Sequence, residues 1–127
     1  LNKLNNNKIK VRLRKEEMKD NELINADYIQ HIVGVMKERF GEDAIALFHV
    51  ADKYECFLED SVLVSQALDI PQEPYLKENG KTLQVTRFPA DELINYRRIL
   101  TSEGYATCTS ETCDGSGTHI LKIYEPA

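Results

Sequence analysis

The chain has 127 residues, 42% of them hydrophobic and 29% charged, with a net charge of −5. That is enough for one domain with one core, and too little for two. No apolar run approaches the roughly 20 residues of a helical membrane span, so no membrane partner is expected, and the acidic balance excludes a uniformly basic nucleic-acid surface.

The charge is uneven. Residues 1–20 hold seven Lys/Arg against three Asp/Glu, which leaves nine against eighteen for the rest. Residues 1–24, rich in Asn and Lys and without sustained periodicity, read as a basic arm or linker, and residues 25–127 as the folded module. The chain opens on Leu rather than Met and shows no charged-then-apolar secretory pattern. A piece of a longer polypeptide is therefore expected.

In chain order, Ile29, Ile32, Val33, Met36 and Phe40 recur at helical spacing between a potential cap, Asn25, and a stop, Gly41, predicting an amphipathic helix. "AIALFHV" (44–50) reads as a buried strand and "KYECFL" (53–58) as a second, with only Ala51 and Asp52 between them. Glu59 and Asp60 then suit the positive end of a helix running to Asp69 before Pro71. "PQEPYLKENGK" (71–81) reads as a loop with a tight Asn-Gly turn, and the alternating "TLQVTRF" (82–88) as a strand ended by Pro89. A third helix spans "ADELINYRRILTSEG", with Gly104 as its C-cap, and the strands "YATCTS" and "HILKIYE" flank the turn "CDGSG". Strands interleaved with helices and closed by a hairpin predict an α/β fold: a mixed sheet of about five or six strands flanked by helices.

Chemistry-bearing motifs are sparse. There is no phosphate-binding glycine loop, no His-Glu-x-x-His and no Gly-x-Ser-x-Gly, so no enzyme and no cofactor or small-molecule substrate is expected. Cys56, Cys108 and Cys113 are odd in number and irregular in spacing, which argues for free thiols in a reducing, cytoplasmic compartment. Cys108 and Cys113 with His119 match no usual zinc spacing and lack a fourth ligand, so no metal is expected. His31, His49 and His119 read as surface or half-buried residues. Glu59 and Asp60 read as dipole partners rather than an acid/base pair. Arg97 and Arg98 lie on a helix flank, where a solvated face and phosphate contact are the two readings.

One stretch carries more. "AIALFHVADKYECFLEDSVLVSQAL" (44–68) resembles the N-terminal mismatch-recognition domain of the MutS mismatch-repair proteins, in which a buried strand leads into Gly-Asp-Phe-Tyr-Glu-Leu-Phe and then an acidic-capped helix. The preceding helix, "FPADELINYRRILTSEGY" and "HILKIYEPA" correspond in place, so the similarity spans roughly residues 26–127. The resemblance implies a MutS domain-I-like fold, no catalysis in these residues, a DNA partner with a mismatch or distortion, and further domains of a longer polypeptide. It implies DNA contact through Asp52, Lys53, Tyr54 and Glu55, with Tyr54 facing the core side of the strand in the family-like geometry; Arg97 and Arg98 join this set on the phosphate-contact reading of their helix flank, beside the solvated-face one. In that family the Phe wedges beside the mispaired base and the Glu hydrogen-bonds it; here Lys53 stands at the Phe position, Glu55 matches, and Ala51 replaces the preceding Gly. A lysine neutralises phosphate but cannot stack, so weakened or lost mismatch specificity is expected. The alternative is a non-catalytic docking domain that no longer contacts DNA.

Overall fold

A computed structural model describes residues 3–12, 18–19, 22–23, 26–112 and 118–125, with side chains described within 26–27 and 29–111. Its centre is a seven-stranded mixed sheet in the order β1-β9-β8-β4-β5-β7-β6. The strands are β1 (Lys3–Arg12), β4 (Ile45–Val50), β5 (Lys53–Phe57), β6 (Glu73–Glu78), β7 (Lys81–Pro89), β8 (Thr107–Thr112) and β9 (Thr118–Glu125); β2 (Met18–Lys19) and β3 (Glu22–Leu23) form a separate short pair. The helices are α1 (Ala26–Phe40), α2 (Leu58–Leu68) and α3 (Leu93–Ser102), the last preceded by a short 3₁₀ turn at Ala90–Glu92. Among the described residues only β4 and β8 run parallel, as a strand pair joined through intervening elements can; the other described pairs of the sheet are antiparallel.

Strand alternation sorts the core into two layers. Ala46 and Phe48 of β4, Phe57 of β5 and Val85 of β7 face α1, whose Ile29, Ile32, Val33 and Met36 form the helical stripe expected from their spacing. Ile45 and Leu47, Tyr54 and Cys56, and Phe88 point the other way, against Val64 of α2 and Leu100 of α3. Each fully buried aliphatic or aromatic side chain contributes about 1.5–3 kcal/mol. The helix stops are also as expected: Gly41 takes φ 109° and Gly104 φ 91°, where a side chain would be strained.

A buried polar tie joins the layers. Asp60, in the first turn of α2, accepts hydrogen bonds from the Ala46 backbone N–H (3.0 Å) and Lys37 Nζ (3.0 Å), and Lys37 also donates to the Ala44 carbonyl (2.8 Å). Asp60 is therefore more than the dipole partner expected: it is buried and bridges α1, β4 and α2. Burial raises its carboxyl pKa, opposed by the Ala46 N–H and by Lys37.

Two readings are corrected. The segment 71–81 is a loop only in part, because Glu73–Glu78 pairs with β7 through the Asn79-Gly80 turn. Pro74 fits since β6 has a partner on one side only, where a missing N–H costs little. Within the stretch read as an arm, Lys3–Arg12 pairs antiparallel with β9, so the sheet gains a strand beyond the number expected. Asn25 and the turn "CDGSG" lie outside the described residues.

Candidate nucleic-acid interface

The hairpin joining β4 and β5 has the two-residue turn predicted, with Val50 opposite Lys53. Ala51 sits at φ 54°, in the left-handed region that glycine occupies without cost and that costs other residues about 1–2 kcal/mol. Asp52 is exposed, and its carbonyl accepts a hydrogen bond from the Ala90 N–H at 2.8 Å. That bond anchors the turn to the end of β7.

From this turn β5 sends successive side chains to opposite layers. Lys53 is half-buried, with Val50 and Pro89 as cross-strand neighbours. It shares a face with Glu55 and Phe57, the face that α1 covers. Tyr54 is on the other face, 6% exposed. Its ring stacks on His49 (centroids 4.5 Å apart, planes at 19°) and lies 6.0 Å from Phe88, while its hydroxyl donates to Glu111 Oε2 at 2.9 Å. The same carboxylate meets His49 Nδ1 through Oε1 at 2.6 Å. Tyr54 is thus built into the α2/α3 layer and is not brought to one surface with Lys53 and Glu55.

Glu55 is buried as well. Its side chain is 6% exposed, opposite Phe48 on β4 and Arg87 on β7. Arg87 Nε lies 3.6 Å from Glu55 Oε2 and 3.4 Å from Glu73 Oε2 on β6, and its guanidinium carbon stands 5.9 Å from the centre of the Tyr75 ring. These are charge contacts rather than hydrogen bonds, and Glu55 Oε1, shut off from solvent, has no hydrogen-bond partner among the described residues. Burial raises the Glu55 carboxyl pKa above its ordinary value, and Arg87, then Lys53, oppose the rise.

Arg97 and Arg98 belong to α3, whose Leu100 packs in the layer opposite Glu55. Arg98 is exposed and Arg97 half-buried. The fold therefore groups Lys53, Glu55 and Arg87 on one side of the sheet and places the paired arginines on the other. Cys56 and Cys108 are buried: burial pushes the Cys108 thiol up to about 12 and Cys56 higher, as expected of inert thiols. Cys113 and the His119 side chain lie outside the described residues. No helix among the described residues is long and apolar enough to cross a membrane.

Sequence comparison decides the family. The family model for MutS domain I matches residues 29–119. The chain belongs to the MutS domain I family. It is 34% identical over 90 residues to the DNA mismatch repair protein MutS of Microcystis aeruginosa, covering 68% of this chain and 10% of that protein. With the MutS of Trichodesmium erythraeum it shares 30% identity over 115 residues, 81% of this chain and 12% of that one, and with that of Synechocystis sp. 35% over 80 residues, 61% and 9%. The chain spans about a tenth of the length of these relatives. Within the MutS domain I fold, Arg87 is the site residue that motif reading passed over. Its signal was present: in "TLQVTRF" Leu83, Val85 and Arg87 share a parity, so a charge stands on an otherwise apolar strand face.

Proposed function

We propose that this MutS domain I module is a non-catalytic, DNA-contacting part of a longer mismatch-repair-type protein, with mismatch specificity weakened relative to what the family pattern implies. The observation that carries this reading is Lys53 at the hairpin end of β5. There the resemblance expects an aromatic wedge, and Lys53 shares its face with a Glu55 that is buried against Arg87. An inserted ring gains about 1–3 kcal/mol by stacking on an unpaired base and offsets the cost of kinking the duplex. An ammonium on a flexible stem supplies neither, but it neutralises a phosphate. The reading therefore assigns Lys53, near the exposed Asp52 turn, a backbone contact that carries no sequence or mismatch information.

The test is a fluorescence-anisotropy titration of the chain with short duplexes at 25 and 150 mM salt. Binding should be measurable at low salt and fall steeply at the higher concentration through counterion release, and Lys53→Ala should reduce the salt slope by about one. Absence of binding to any duplex at low salt would favour the docking alternative. One feature speaks for that alternative: Val62, Ile94 and Ile99 are exposed on α2 and α3, with Ile94 at 56%, apolar surface of the sort a neighbouring domain covers.

A further inference from the structure

Three strands contribute to one charged row on the α1 side of the sheet. Glu55 on β5 is innermost, Arg87 on β7 is directly opposite it and one-third exposed, and Glu73 on β6 is outermost at 54%. Tyr75 stands beside Arg87 and packs its ring edge-on against Phe57 at 4.9 Å. A guanidinium between two carboxylates, braced by an aromatic ring, has little freedom to leave. The arrangement leaves polar atoms unmet on both sides: among the described residues Glu55 Oε1 and Arg87 Nε are each buried without a hydrogen-bond partner.

We propose that Arg87 is a specificity-determining residue that withholds Glu55: its guanidinium is in charge contact with one oxygen of the carboxylate a nucleobase edge would need, so Glu55 is held under the surface rather than presented. This deepens, and rests on, the reading of the module as DNA-contacting. It supplies a second cause of weak mismatch discrimination, independent of Lys53. The two causes act on different parts of a base, since the wedge position meets its face and Glu55 its edge. Relieving either alone leaves the other in place. The charged groups facing Glu55 are Lys53 on its own strand, Arg87 on β7 and, through Arg87, Glu73 on β6. Burial pushes the Glu55 carboxyl up and Arg87 is the larger of the two cations opposing it, in keeping with a direct Arg87–Glu55 coupling.

Two measurements test the proposal. The first needs no DNA: the Glu55 side-chain carboxyl carbon is followed by NMR through a pH titration in the wild type, Arg87→Gln and Glu73→Gln. Arg87→Gln should move the Glu55 midpoint upward by a unit or more, a tenfold gain in proton affinity, and Glu73→Gln should move it downward because Arg87 then serves one carboxylate. An unmoved midpoint in both variants overturns the coupling. Glu73 is exposed, so its variant keeps the test valid if Arg87→Gln folds poorly. The second compares Lys53→Phe with Lys53→Phe/Arg87→Gln on matched and single-mismatch duplexes. Losing a cation weakens both complexes alike, whereas releasing Glu55 should raise the mismatch-to-match ratio of the double variant at least about threefold over the single one. An equal ratio in two variants that bind DNA overturns the proposal. If neither variant binds any duplex, the DNA-contacting reading fails and the withholding role falls with it, while the titration separately reports whether the Arg87–Glu55 pair is real.

Discussion

Replacing Lys53 by phenylalanine tests whether the hairpin end of β5 faces DNA. The structural cost should be small. Lys53 is half-buried between Val50 and Pro89, and an aromatic ring beside a β-branched neighbour on a strand contributes about 0.2–1 kcal/mol, enough to offset the shift of a solvated stem. Stability should stay within roughly 0.5 kcal/mol of the wild type, the range for substitutions away from core features. Binding should change more: stacking worth about 1–3 kcal/mol at an unpaired base and not at a paired one corresponds to a preference of roughly fivefold to 150-fold. The lower end is expected while Arg87 holds Glu55. The assay is competition anisotropy, in which a labelled mismatched duplex is displaced by unlabelled matched and mismatched ones, after urea unfolding has shown the variant folded. A folded variant with a ratio unchanged from the wild type would refute the placement of a DNA-facing surface here.

Other consequences follow from the same contacts. Asp60→Ala strands the Ala46 N–H in the core and removes the Lys37 pair, so urea midpoints should report a loss of about 3 kcal/mol; Asp60→Asn, which keeps one acceptor, should lose roughly half of that. Glu55→Gln should change the pH dependence of stability. The folded Glu55 carboxyl titrates above its ordinary value of 4.5, so the stability it contributes is complete below that value and is lost as pH rises through the folded pKa. The wild type should therefore lose ground to Glu55→Gln as pH rises from below 4.5 through the folded pKa, and a constant difference would contradict the assignment. Ala51→Gly removes the strain at φ 54° but adds unfolded-state freedom worth about 0.4–1 kcal/mol, so thermal unfolding should show it neutral to slightly stabilised rather than weakened.

Much of this architecture was legible because local signals agreed. The stripe Ile29–Met36 with Gly41 behind it, the two-residue turn at Ala51–Asp52 and the alternation in "TLQVTRF" each point to one element, and each forms. The β6 strand was not legible, because Pro71, Pro74 and the Asn-Gly turn carry loop chemistry, and only the presence of β7 alongside makes an edge strand of it. Asp60 looked like any acidic residue at a helix start; that its partners are Lys37 and the Ala46 N–H depends on how α1 and β4 come together. Tyr54 faces away from Lys53 and Glu55 by strand alternation, and that α3, with Arg97 and Arg98, packs on the Tyr54 side of the sheet depends on the same assembly. Sequence tells that helices cover a sheet, whereas the crossovers decide which face α3 covers. Lys53 and Glu55 on one strand, and Arg87 on an apolar face of another, were visible as oddities. Only the adjacency of β5 and β7 turns them into a pair.

The most direct measurement is the ratio of dissociation constants of the unaltered chain for a matched duplex and for the same duplex carrying one mismatch, at low salt where binding is strongest. With an ammonium at the wedge position and Glu55 held by Arg87, the two constants should agree within about threefold, since phosphate contacts do not distinguish the duplexes. A tenfold or greater preference for the mismatched duplex would contradict the account, showing that discrimination survives without the ring.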